Sequence, residues 1–261
     1  MNTILYPLIG TMFTFIMTTI GSGLVFFFKD EVKSFYQQLF LGFAAGVMIA
    51  ASVWSLLMPS LEMAKENGQN EALVLAGGFI LGALFLLALD HLIPHQHLSE
   101  DKPEGINCAL NKNIMLVLAV TLHNIPEGFA VGLTFAIAAS NSSITLASAL
   151  ALAIGIGLQN LPEGAAISLP LKQAGLSNKK AFTYGMLSGI VEPIAGIIAG
   201  LMIPVMQTIL PVCLSFAAGA MMYVVVEELI PEAQLGKHSH IGTLGVLSGF
   251  VVMMLMDIFL G

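Results

Sequence analysis

Arginine is missing from this chain of 261 residues, cysteine occurs twice and tryptophan once, and charged side chains make up only 10% of it. The scarcity of charge excludes most. Soluble domains are typically about 25% charged, so water is not the main solvent of a chain that is 57% hydrophobic. Cys108 in a polar loop and Cys213 in an apolar run supply neither a disulfide framework nor a cysteine-based zinc site, and both read as unpaired thiols. Nine basic against 16 acidic residues give no excess of positive charge, and nucleic acid is not an expected partner. No His-Glu-x-x-His, Gly-x-Ser-Gly or Gly-Asp sequence occurs, so the signatures of intramembrane hydrolases are absent. No enzymatic activity is expected.

What is present is long apolar stretches. Segments near 4–28, 36–58, 72–91, 113–138, 144–171, 181–203, 209–230 and 241–260 each approach or exceed the roughly 20 residues that span a bilayer. The first is too long for a signal-peptide core and reads as a retained helix. The fold class is therefore all-α, one polytopic membrane domain over residues 1–261 with eight transmembrane helices. Assigned to alternate faces, Lys29, Lys33, Lys102, Lys112, Lys172, Lys179, Lys180 and Lys237 share one side and leave Lys65 alone on the other. The positive-inside rule makes the lysine-rich face cytoplasmic and puts both termini outside. Three spans close on related endings, Leu57-Met58-Pro59, Leu92-Ile93-Pro94 and Leu229-Ile230-Pro231, which read as proline simply ending a helix.

Against that apolar background, Glu127, Glu163 and Glu192 fall near the middles of spans, with Asp90, Glu227, Glu228 and Asp257 nearer the ends and no lysine among them. An ionised side chain at the bilayer centre costs at least ~2.5–3.5 kcal/mol, so such groups face the bundle interior or a wet cavity and mark a pathway. Three central carboxylates without a counter-charge call for protons or bound cations. Two copies of one pattern surround them: His123-Asn124-Ile125-Pro126-Glu127-Gly128 and Gln159-Asn160-Leu161-Pro162-Glu163-Gly164. Helical spacing stacks His123 and Asn124 on Glu127, and Gln159 and Asn160 on Glu163. Pro126 and Pro162 leave the carbonyls of Leu122 and Leu158 without helix donors and are expected to bend both helices. Gly128 and Gly164 permit close helix approach. One imidazole with several carboxylate and amide oxygens suits a borderline divalent ion such as Zn²⁺ and tolerates Fe²⁺, Mn²⁺ or Cd²⁺. Two carboxylates flanked by donors on both sides could also bridge two ions.

With these residues in hand, the chain resembles the ZIP (Zrt/Irt-like) family of metal transporters, most closely its bacterial GufA-like branch. The resemblance covers essentially the whole chain. It rests on the two copies above, on Ser188-Gly189-Ile190-Val191-Glu192-Pro193, and on Glu227-Glu228-Leu229-Ile230-Pro231-Glu232. It implies one metal site from His123, Gln159, Glu127 and Glu163, and an adjacent second one from Asn124, Asn160, Glu192 and the same two glutamates. Gln159 stands where many members have His, and Asn160 where some have Asp; both changes bear on selectivity for zinc rather than on metal binding. The resemblance further implies inward transport through a bacterial plasma (inner) membrane and a homodimer in the lipid bilayer. Spans one, four, five and six would move against a scaffold of spans two, three, seven and eight. His91, His95 and His97 follow span three, and His238 and His240 lie between spans seven and eight; His95 and His97 could hand metal to the cytosol, with solvated or interfacial histidines an equal reading. A metal-activating intramembrane enzyme and a non-transporting metal sensor are the competing classes. The first lacks its motifs. The second would leave the other spans free of charge.

Overall fold

The computed structural model describes residues 2–27, 34–94, 112–140, 144–203, 207–234 and 240–260, and within them every regular element is helical. His95, His97, His238 and Cys108 lie outside the described residues. Eight stretches are long and apolar enough to cross a membrane, as the hydropathy pattern predicts. They comprise α1 (Asn2–Gly23), α2 (Ser34–Ala51) with α3 (Met58–Glu66), α4 (Glu71–Leu92), α5 (Lys112–Ala139), α6 (Leu146–Gln173), α7 (Asn178–Ser188) with α8 (Val191–Met202), α9 (Leu210–Val224) with α10 (Ile230–Ala233), and α11 (Ile241–Leu260). Starts are capped where the sequence provides an acceptor: Asn70 takes the Leu73 N–H, and Thr145 takes that of Ser148.

Two of the three proline endings are not endings. Pro59 and Pro231 each sit inside a continuing helix, just beyond a π-helical turn at Ser52–Leu57 and Val225–Leu229 respectively. A proline cannot donate to the carbonyl four residues back, and here the chain takes up one wider turn. Met58 N–H bonds the Val53 carbonyl, and Ile230 N–H that of Val225. The second span thus runs on to Glu66. Only Pro94 follows a helix that has stopped.

At Pro126 and Pro162 the helices α5 and α6 continue without interruption. The interruption lies in the sixth span, between α7 and α8, where Gly189 and Ile190 close tight turns onto Met186 and Leu187. Pro193 cannot bond the Gly189 carbonyl, which accepts the Glu192 N–H at 3.1 Å instead. That leaves the Ser188 carbonyl without its helical donor, a vacancy the site uses.

Helices α1, α5, α6, α7 and α8 pack on one another, while α2 lies along α11 and α4 along α9. Small residues set the closest approaches in the first group. A methyl on Gly128 would meet the backbone of Glu192 on α8, and one on Gly164 would meet the Thr18 carbonyl of α1. The face that α1 turns inward is polar, with Thr11, Thr14, Thr18 and Ser22 fully buried. Outward faces are apolar, as at Leu81, Leu84, Leu244 and Leu247.

Candidate metal centre

Helices α5 and α6 each bring three candidate residues to the interior, and α8 brings Glu192. His123, Asn124, Glu127, Gln159, Asn160 and Glu192 are all buried, and Glu163 is half-buried. They fall into two layers. His123, Glu127, Gln159 and Glu163 line a cavity of about 920 Å³. Asn124, Asn160 and Glu192 are not among its lining residues and sit sealed behind it, where α1, α5, α6 and α8 meet.

The sealed layer is held by hydrogen bonds across helices. Asn124 Nδ2 donates to the Ser188 carbonyl at 3.1 Å, the acceptor freed by the break between α7 and α8. Asn160 Nδ2 donates to both oxygens of Glu192, at 3.0 and 3.1 Å, and Thr18 Oγ1 donates to Oε1 at 3.2 Å. Both asparagines therefore spend their amide hydrogens on the scaffold. Their oxygens, Asn124 Oδ1 and Asn160 Oδ1, are buried without a partner.

In the cavity layer Gln159 Nε2 donates to Glu127 Oε1 at 2.6 Å, again leaving Gln159 Oε1 and Glu127 Oε2 buried and unpartnered, as is Glu163 Oε1. His123 Nε2 is hydrogen-bonded to Glu228 Oε1. Glu228 reaches this position from the π turn after α9, where one extra residue in the turn re-aims the side chains that follow. Among the described residues no three His, Cys, Asp or Glu side chains are gathered into a metal-holding group by themselves. The carboxylates are spread over amide partners, and the available donor set is mixed: carboxylate oxygens, amide oxygens and one imidazole.

The cavity runs from these residues to the helix ends at Ser34, Gln37, Gln173 and Glu232. That is the lysine-bearing end of the bundle, beside Lys172 in the last turn of α6. Among the described residues Glu127, Glu163, Glu228 and Glu232 line it and no lysine does, so the field of these residues favours cations. One wall belongs to α5 and α6, the other to α2 and the α9–α10 span, which places the His123–Glu228 bond across the seam between the two helix groups.

Two contributors escaped the sequence reading. Glu228 is named there as a charge near a span end and within the stretch Glu227–Glu232 that carries the resemblance, with no place in the metal site, since its aim depends on the π turn. Thr18 carried a usable signal, because Thr11, Thr14, Thr18 and Ser22 recur at helical spacing in an otherwise apolar span. Two other acidic residues stand apart from the cavity: Asp90 accepts from Tyr223 Oη at 3.0 Å, and Asp257 from Ser55 Oγ at 2.8 Å.

The sequence profile of the family described as ZIP Zinc transporter matches residues 95–257. Zinc transporter ZIP11 of Homo sapiens is 37% identical, with 100% of this chain and 98% of that protein aligned. Zinc transporter GufA of Myxococcus xanthus is 34% identical over 85% of this chain and 86% of its own length. Zinc transporter ZIPB of Bordetella bronchiseptica is 34% identical over 98% and 82%. With the profile covering more than half of the chain and such relatives along nearly all of it, this integral membrane protein belongs to the ZIP zinc transporter family.

Proposed function

We propose that the chain carries divalent transition-metal ions across the plasma (inner) membrane of a bacterium into the cytoplasm, Zn²⁺ foremost, with Fe²⁺, Mn²⁺ and Cd²⁺ as further cargo. The observation that carries this reading is the set of five buried oxygens without hydrogen-bond partners on Asn124, Glu127, Gln159, Asn160 and Glu163. A buried polar atom left unsatisfied costs about 1–3 kcal/mol, and these five belong to two neighbouring helices with one repeated pattern. A cation supplies what all of them lack. His123, Glu127, Gln159 and Glu163 would hold one ion; Asn124, Asn160 and Glu192, with the same two glutamates, would hold a second.

The acidic cavity leading from these residues to the helix ends supports passage of a cation between the buried ligands and that face of the bundle. The relatives' names, zinc transporters all, support zinc as the principal cargo. The separation into two helix groups is compatible with α1, α5, α6, α7 and α8 moving as a unit against α2, α4, α9 and α11 in a homodimer. Counterflow of radioactive zinc into proteoliposomes tests the proposal. Zinc-loaded vesicles should accumulate label faster than protein-free ones. Zinc binding to the purified protein without any counterflow would replace the transporter by a sensor.

A further inference from the structure

A second cavity, of about 370 Å³, lies between α4 and α9 on one side and α5 and α8 on the other. Phe85 and Ile198, 43% and 50% exposed, stand at its outward rim, while Pro126, Ala195, Ala217 and Ala220 form a buried floor. Among the described residues no lining side chain carries nitrogen or oxygen, and the Cys213 thiol is the most polar group in it. Water has no partner there. An unfilled groove would forfeit dispersion contacts along its whole lining.

Its length is informative. Among the described residues the lining begins at Met202, the last residue of α8, and at Val212 near the start of α9, the end of the bundle away from Lys172. It stops at Ile125, halfway along α5, and at Leu86, about two thirds of the way along α4. Along α9 the run from Val212 to Ala220 is roughly 12 Å at 1.5 Å per residue, against about 15 Å for half of a ~30 Å hydrocarbon core. The groove therefore has the depth of one leaflet. A helix, about 10–12 Å across, would fill over the same length more than twice the available volume, so a helix of a second copy does not fit. We propose that this groove binds one acyl chain of a phospholipid from the leaflet opposite the lysine-rich face, with the chain end against Pro126, next to Glu127.

The test reconstitutes the full-length protein with a phosphatidylethanolamine carrying a diazirine near the end of one acyl chain, irradiates it, and maps adducts by peptide mass spectrometry. Adducts on Ile125, Phe129 and Phe216 are expected roughly tenfold above those on the outward-facing Leu81 and Leu247, the preference corresponding to about 1.4 kcal/mol between bound and bulk lipid. Cys213→Trp, which fills the groove, should bring the groove adducts down to the Leu81 level, and Cys213→Ala should leave them unchanged. Adducts spread evenly over all outward faces would mean annular lipid only and overturn the proposal. So would groove adducts indifferent to Cys213→Trp, or none at all, as when side chains of a second copy occupy it. Should the tryptophan variant fail to assemble, the distribution in the parent protein decides alone.

Discussion

Thr18 offers a perturbation of the centre that alters no proposed metal ligand. Its hydroxyl is fully buried and shared between the Thr14 carbonyl at 3.3 Å and Glu192 Oε1 at 3.2 Å. Thr18→Val keeps the branched shape and removes only that donor. Hydrogen bonds between membrane helices average ~0.6 kcal/mol and reach ~1.7, and a long, shared one belongs near the lower end. Glu192 keeps its bond from Asn160 to each oxygen, so it stays in place and loses angular definition. A loss of about 0.6–1.4 kcal/mol corresponds to roughly 3–10-fold in affinity, overlapping the ~10–100-fold typical for outer partners of metal ligands. The zinc concentration for half-maximal uptake in proteoliposomes should therefore rise roughly 3–10-fold, with protein abundance unchanged. Thr19→Val is the control, since Thr19 bonds only its own helix at Phe15. Equal curves for the two variants would refute the idea that α1 positions Glu192.

Glu127→Ala and Glu163→Ala should each abolish zinc uptake while the protein remains folded and membrane-inserted; normal flux in either, at matched membrane abundance, would end the shared-carboxylate reading. Uptake should also weaken as the pH falls from 7 toward about 5, because carboxylate and imidazole ligands must be deprotonated to take metal and protons compete for them. Flux that stays constant over that range would mean these groups do not coordinate. Gln159→His exchanges an amide oxygen for an imidazole nitrogen and should raise the ratio of zinc to manganese transport. Measured by competition at matched expression, an unchanged ratio would remove Gln159 from the ligand set.

The sequence carries the count of spans through hydropathy and the inward placement of the central glutamates through the cost of charge in lipid, because neither depends on which helices become neighbours. What it misses depends on where irregular turns fall. The two layers follow from α1 and α8 closing over Asn124, Asn160 and Glu192, and that closure requires the break at Gly189 and Ile190. Proline alone does not disclose it: Pro126 and Pro162 leave their helices continuous, Pro59 and Pro231 follow π turns, and Pro193 follows a break. The same residue gives three outcomes, and which one a span takes is set by its tertiary surroundings rather than by the proline alone. His123 meeting Glu228 from the opposite helix group is invisible for the same reason.

These irregular turns share one property that bears on how a membrane protein can afford a charged interior. Ser55, in the first π turn, bonds Asp257; the second π turn carries Glu228 to His123; the break between α7 and α8 precedes Glu192 and frees the carbonyl that anchors Asn124. Pro126 and Pro162 immediately precede Glu127 and Glu163. In hydrocarbon a distorted helix exposes backbone groups that lipid cannot satisfy, and an acidic side chain is costly for the same reason. Each becomes tolerable only inside a polar interior, so both are confined to the same few places. Around the cavity one polar region between helices receives Glu127, Glu163 and Glu228 together, while Asp257 is met separately by Ser55. In this chain helix distortions and acidic residues thus fall close together, the first hidden from sequence periodicity and the second open to it.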